Sequence, residues 1–245
     1  MSARSKILFI LLAGAGHGNW AWDKLHILLL KLGFLVLPIE RIGKDRVRYL
    51  QEVVSAVGGY DHVVIVAHSI ATADVVDLAG YDELQSGKVS WVLVAPPPIG
   101  FDLSYQLYIV FAAGVKLLRS AVKENNAVLM ISGKMAYKFL FSEIPAYAYH
   151  AIFVDGKLRP EPLLKWFVFG RYEKLLPRGL PGYAYVVVPM RDAMVPARFQ
   201  LRLAGRLGAE VFQIVGAPHD VMFTHPESLA RVLQEIVEQV TGIEP

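Results

Sequence analysis

The chain contains no cysteine. Disulfide staples, thiol catalysis and cysteine-ligated metal sites are therefore excluded. Asparagine is scarce, occurring only as Asn19, Asn125 and Asn126. With the missing cysteine, that scarcity matches the depletion of heat-labile residues in heat-adapted proteins. Charge is sparse as well: Asp, Glu, Lys and Arg make up 19% of residues, against about a quarter in typical soluble domains. The net charge of +3 comes without a Lys/Arg run, so nucleic acid is not an expected partner. No stretch is long and apolar enough to read as a membrane span, and no stable membrane insertion is expected. Repeats and low-complexity tracts are missing. His26, His62, His150 and His225 are too dispersed for a metal-ligand pattern, so no metal is expected.

What is present is a large apolar fraction, 54% of 245 residues, enough for one domain with a large core. Arg4 and Lys6 precede the apolar run Ile7 to Leu12, a pattern shared with secretory signals. Cleavage after that run would remove a predicted strand and part of the glycine-rich loop behind it. A cytoplasmic protein is therefore the expectation, and a mature chain starting near Gly16 would overturn it.

The most informative segment is Val63 to Ala71. Val63-Val64-Ile65-Val66 runs into Ala67-His68-Ser69-Ile70-Ala71, a small-X-Ser-X-small turn, and an Ala/Val-rich stretch from Thr72 to Ala79 follows. That reads as strand, sharp turn and helix with Ser69 at the apex. The turn lifts the hydroxyl into a crevice and aims the next backbone N–H, that of Ile70, at whatever the hydroxyl attacks. The usual motif has glycines where this chain has Ala67 and Ala71, so the context carries the reading. Tyr185 to Val188 is a β-rich run that ends near Asp192, and Val211 to Val215 is another that ends near His219. Ser, Asp and His, each just past a predicted strand, stand in the order of a hydrolase triad. The strand ends of a parallel sheet share one edge, so such residues can converge.

Upstream, strand Ile7 to Leu12 empties into Ala13-Gly14-Ala15-Gly16-His17-Gly18-Asn19-Trp20-Ala21-Trp22. The loop is not a phosphate loop. It lacks a GK[ST] ending, and the G-x-G-x-x-G spacing fails at Asn19. With four motifs in order, the chain resembles the α/β-hydrolase superfamily over nearly its whole length. His17 to Leu25 is similar to the HG-x-W-x-W-x-K-L stretch of the plant methylesterase and hydroxynitrile lyase subgroup. His219 to Pro226 resembles that subgroup's segment after the catalytic histidine.

The alternation of elements predicts an α/β fold of about six mostly parallel strands with helices on both faces. Further strands are expected at Phe34–Ile39 and Val89–Val94, and helices at Trp20–Leu32 and Asp45–Val57, with Asp45 as cap and Gly58-Gly59 as stop. Residues 1–98 and 181–245 would form the core. Residues 99–180, rich in aromatics such as Phe101, Tyr105, Tyr108 and Trp166, break the alternation where the superfamily inserts an apolar cap. Helical periodicity shows around Tyr105–Leu118 and Lys134–Phe141. The aromatics are expected to form the insert's own core, with some of them lining a pocket over Ser69.

The resemblance implies Ser69 as nucleophile, His219 as general base and acid, and Asp192 as the acid orienting it. Backbone N–H groups of Ala15 and Ile70 would form the oxyanion hole. Gly14 and Gly16 would let the loop approach, His17 would brace the loop and His68 would pack beneath it. Asp220 is a rival acid, but its adjacency to His219 points its side chain elsewhere. A serine at the apex argues against the dehalogenases and epoxide hydrolases of this fold, which use aspartate. The lyase branch is disfavoured because His225 stands where its lysine would be and Gly14 where its hydroxyl residue would be. The expectation is hydrolysis of a small apolar carboxylic ester, thioester or lactone through an acyl-serine, with no cofactor. Carbon–carbon bond hydrolysis, a ligand-binding role with little turnover and a lipid-surface enzyme remain open, as does a homodimer through the cap.

Overall fold

Six runs of β-branched and other apolar residues pair into one sheet in the computed structural model, which describes residues 6–40, 45–85, 87–99, 102–113 and 180–242. The strands are β1 (Ile7–Leu12), β2 (Leu35–Ile39), β3 (His62–His68), β4 (Val89–Val94), β5 (Tyr183–Pro189) and β6 (Glu210–Ile214). Their order is β2-β1-β3-β4-β5-β6, and every pairing is parallel. The sequence pointed to a mostly parallel sheet; the described strands are parallel throughout.

β1, β3 and β4 are buried along their whole length. That explains why they read as continuous apolar runs instead of alternating ones: a strand covered on both faces has no wet side. The edge strands β2 and β6 keep exposed positions. Pro38, which cannot donate to a ladder, sits on edge strand β2.

Alternate residues feed two cores. On one face Phe9, Leu11, Val64, Val66 and Val94 pack under α1 (Asp23–Lys31) and the C-terminal helix, through Trp22, Leu25, Leu29, Leu229, Leu233 and Ile236. On the other, Ile10, Leu12, Ile65, Trp91 and Val186 pack against Tyr49 and Val53 of α2 (Arg46–Ala56) and Val75 and Leu78 of α3 (Thr72–Leu78). The remaining described helices are α4 (Leu103–Ala113), α5 (Ala197–Leu207), α6 (Val221–Thr224) and α7 (Pro226–Thr241).

Local signals explain several boundaries. The Asp45 carboxylate accepts from the N–H groups of Val47 and Arg48, as an N-cap should. Pro226 opens α7 at a position whose N–H would be orphaned anyway, and Gly242 closes it in the left-handed region at φ 65°. The helix expected over Trp20–Leu32 is divided instead: Asn19–Trp22 forms a 3-10 turn and the α-helix starts at Asp23. Most of the expected insertion, including Lys134–Phe141 and Trp166, lies outside the described residues. Its described helix, α4, spans Leu103–Ala113.

Candidate active site

The carboxyl ends of β1, β3, β5 and β6 share one edge of the sheet, and each is followed by a segment that supplies part of the site. After β3 the chain turns abruptly. Ser69 adopts φ 52°, a left-handed conformation that a β-carbon resists. Ser69, Ile70 and Ala71 then form a 3-10 turn that leads into α3. The first N–H groups of a helical segment have no partner within it, and the Ile70 N–H, directly after the serine, is one of them.

Ser69, Asp192 and His219 come together. His219 Nε2 is 2.9 Å from Ser69 Oγ, and His219 Nδ1 is 2.8 Å from Asp192 Oδ2. A carboxylate only accepts, so Nδ1 carries the ring proton and Nε2 is left to accept from the serine hydroxyl. Asp192 is buried and surrounded by donors. The Met194 and Val195 N–H groups donate to Oδ1 at 2.8 and 2.7 Å, and Gln200 Nε2 donates to Oδ2 at 2.9 Å. Burial pushes the Asp192 carboxyl above its ordinary value, and the His219 imidazole and the N–H donors oppose that push. Burial acts to lower His219, but the Asp192 charge and hydrogen bond outweigh it and hold the imidazole above its ordinary value.

The glycine-rich loop lies against the serine turn. A β-carbon on Gly14 would come within 2.8 Å of His68 Nδ1 and 2.9 Å of Ser69 Cβ. No side chain fits there, which gives a physical reason for glycine where the lyase branch carries a hydroxyl residue. Gly16 turns the loop at φ 73°, and the His17 N–H closes the turn on the Gly14 carbonyl at 3.2 Å. Ala15, half-buried, sits at the tip of this turn.

Two expectations are refined. His17 does brace the loop, with Nδ1 donating to the Ala15 carbonyl at 2.8 Å. His68 does more than pack: its Nε2–H donates to the His219 backbone carbonyl at 3.1 Å. Burial, reinforced by His219, lowers His68 to about 3, so its ring stays neutral. Asp220 turns from the His219 ring toward His17. Among the described residues none of His26, His62 and His225 joins a cluster, but one ligand atom each of His68, His219 and Asp220 lies within 4.8 Å of the others. Both His219 nitrogens and His68 Nε2 already have hydrogen-bond partners, whereas His68 Nδ1 and Asp220 Oδ1 are buried without one among the described residues. His62 belongs to the opposite end of the sheet, where Nε2 meets Ser90 Oγ at 2.8 Å.

Gln200 was missed from sequence. Its signal was a polar residue on the buried stripe of α5, beside Phe199, Leu203 and Ala204. Tyr105 and Tyr108 add a contact not foreseen for the insertion. Both pack on Phe199, and their hydroxyls donate to the carbonyls of Met194 and Ala193, in the loop that holds Asp192. Among the described residues no helix is long and apolar enough to cross a membrane.

The geometry has counterparts. The pattern of the alpha/beta hydrolase family matches residues 9–232. Norfluorocurarine synthase 2 of a Strychnos species is 28% identical over 267 aligned positions, covering 95% of this chain and 96% of that protein. The fold is similar to that of the methylesterase MES16 from Arabidopsis, with a TM-score of 0.68 at 19% identity over 95% of this chain and 99% of that one. It is also similar to tomato methylketone synthase I, solved with 2-tridecanone, with a TM-score of 0.64 at 17% identity over 96% and 99%.

Proposed function

This chain belongs to the alpha/beta hydrolase family, and from that premise we propose that it is a serine carboxylesterase acting on small esters with an apolar acyl or aryl group. The observation that carries this reading is the unbroken relay from Ser69 Oγ through His219 to Asp192, at 2.9 and 2.8 Å.

In this mechanism Ser69 Oγ attacks the ester carbonyl carbon while its proton passes to His219 Nε2. The carbonyl oxygen, now negative, is held by the N–H groups of Ile70 and Ala15. Asp192 fixes the tautomer that leaves Nε2 free to accept and stabilises the imidazolium. The intermediate collapses, the C–O bond to the alcohol breaks, and Nε2–H protonates the departing oxygen. Water then attacks the acyl-serine by the same route and releases the acid. Every proton is moved by His219, so no cofactor is required. The reading also takes residues 1–98 and 181–245 as the core and residues 99–180 as a cap over the serine. The apolar composition of that cap and the methylesterase among the similar folds support an apolar ester.

The test is hydrolysis of p-nitrophenyl esters from acetate to laurate, with and without heating, comparing wild type with Ser69→Ala. Activity in wild type that disappears in the variant supports the reading, and the chain-length optimum sizes the acyl pocket. Activity that survives in Ser69→Ala contradicts it. An esterase-inactive wild type that cleaves a β-diketone would move the reaction to carbon–carbon hydrolysis, and one that binds without releasing product would leave a ligand-binding role.

A further inference from the structure

Behind the serine relay lies a second buried histidine–carboxylate contact that the mechanism above does not use. Asp220 Oδ2 is 2.9 Å from His17 Nε2, and the two side chains are 1% and 3% exposed. His17 Nδ1 is committed elsewhere, 2.8 Å from the Ala15 carbonyl. A carbonyl only accepts, so Nδ1 must carry a proton. Nε2 meets a carboxyl group. Either both ring nitrogens are protonated and face a carboxylate, or a neutral ring accepts from a protonated Asp220.

The surroundings favour the charged form. Burial acts to lower His17, but the Asp220 charge and hydrogen bond and the Ala15 carbonyl outweigh it, holding His17 above its ordinary value. Burial acts to raise Asp220, but the His17 charge and hydrogen bond, with His68 and His219, hold it below its ordinary value. The Trp20 ring stacks on the His17 ring at 5.4 Å, as a π-face does beneath a cation. His68, whose Nε2 is 3.8 Å from Asp220 Oδ1, is the other imidazole facing this carboxylate and stays neutral. His219 is the remaining titratable group felt by His17.

We infer that His17 and Asp220 form a buried imidazolium–carboxylate pair that positions the oxyanion loop against the loop carrying His219. The inference rests on the reading of Ala15 as an oxyanion donor. His17 and Asp220 lie 203 residues apart in the chain. Their contact ties the loop after β1 to the residue directly following the general base. The His17 ring grips the Ala15 carbonyl and its backbone N–H holds the Gly14 carbonyl at 3.2 Å, just around the turn that Gly16 makes at φ 73°, so His17 fixes the Gly14–Ala15 peptide whose N–H faces Ser69. Both are positioning residues; neither touches the reacting atoms.

The experiment pairs a spectrum with kinetics. In wild type labelled with 15N-histidine, NMR should show both His17 ring nitrogens still protonated above about pH 6.5, where an ordinary histidine becomes neutral. The signal is assigned by its loss in His17→Gln. In Asp220→Asn, His17 should revert to a single ring proton by about pH 8. The variant's kcat should fall, but by less than the ~10²–10³-fold cost of removing a direct oxyanion donor, with KM little changed. A neutral His17 ring in wild type at neutral pH overturns the ion pair, and that readout needs no variant to fold. A charged ring in wild type with undiminished kcat in Asp220→Asn overturns the positioning role. Labelling of Ser69 by a fluorophosphonate separates the readings. Failure to label would sink the esterase reading while the NMR result still decides the pair.

Discussion

At the scale of single residues, the site is a set of protonation states fixed by who can donate. As the base of the proposed mechanism His219 must be neutral, and Asp192 holds it above its ordinary value. The ester-hydrolysis rate, kcat/KM, should therefore rise with pH along a limb whose midpoint lies above the ordinary histidine value of about 6.5. A midpoint below that value would mean another group limits the rate. Gly14 is a steric counterpart. Gly14→Ala would push a methyl into His68 Nδ1 and Ser69 Cβ, at 2.8 and 2.9 Å. The expected cost is about 1–3 kcal/mol in urea unfolding, with activity falling alongside. Unchanged stability and activity would mean the loop is free to retreat. Ser69, Asp192 and His219 were legible in the sequence because each directly follows a strand signal, so chain order alone narrows where they meet. The Gln200 contact with Asp192 was not legible, because it depends on how α5 is rotated against the sheet. The His17–Asp220 contact was hidden for a related reason: it joins two loops at opposite ends of the chain.

At the scale of elements, the central strands β1, β3 and β4 read correctly because burial on both faces leaves a continuous apolar signature. β1 and β4 have the expected bounds, Ile7–Leu12 and Val89–Val94. The helix over Trp20–Leu32 was the weaker reading. The apolar residues of Trp20–Leu32 have helical spacing, but Asn19–Trp22 turns as a 3-10 segment before α1 begins at Asp23. α2 was legible down to its cap, since Asp45 stands directly before an amphipathic run. Asp45→Ala should cost about 1 kcal/mol of stability, read from the urea midpoint, without touching catalysis. A loss of activity out of proportion to that change would place α2 in the site. α4 shows what sequence alone withholds. Tyr105 and Tyr108 were taken either as the insert's own core or as pocket lining, yet both hold the loop that carries Asp192.

At the scale of the molecule, buried histidines shifted in opposite directions make stability depend on pH in two senses. His68 is lowered to about 3, so between that value and about 6.5 the unfolded chain binds a proton that the folded one refuses. Stability is then lost as pH falls through this window. Burial lowers His62 too, which acts in the same sense. His17 is raised; its contribution is fully present below its ordinary value and is lost as pH rises through the folded one. Urea unfolding should therefore show stability declining on acidification from about pH 6.5, by at most about 1.4 kcal/mol per pH unit for each such proton. His68→Gln should flatten that slope, and an equal slope in the variant would assign acid sensitivity elsewhere.

The central claim is that Ser69 carries the acyl group, and its most direct measurement is mass spectrometry of the peptide bearing Ser69 after acid quench of an ester turning over. The account predicts one added acyl mass on Ser69, absent in Ser69→Ala and accumulating in Asp192→Asn if deacylation slows more than acylation. Turnover of the ester with the acyl mass on another residue, or with the Ser69 peptide unmodified under a clear kinetic burst, would contradict it.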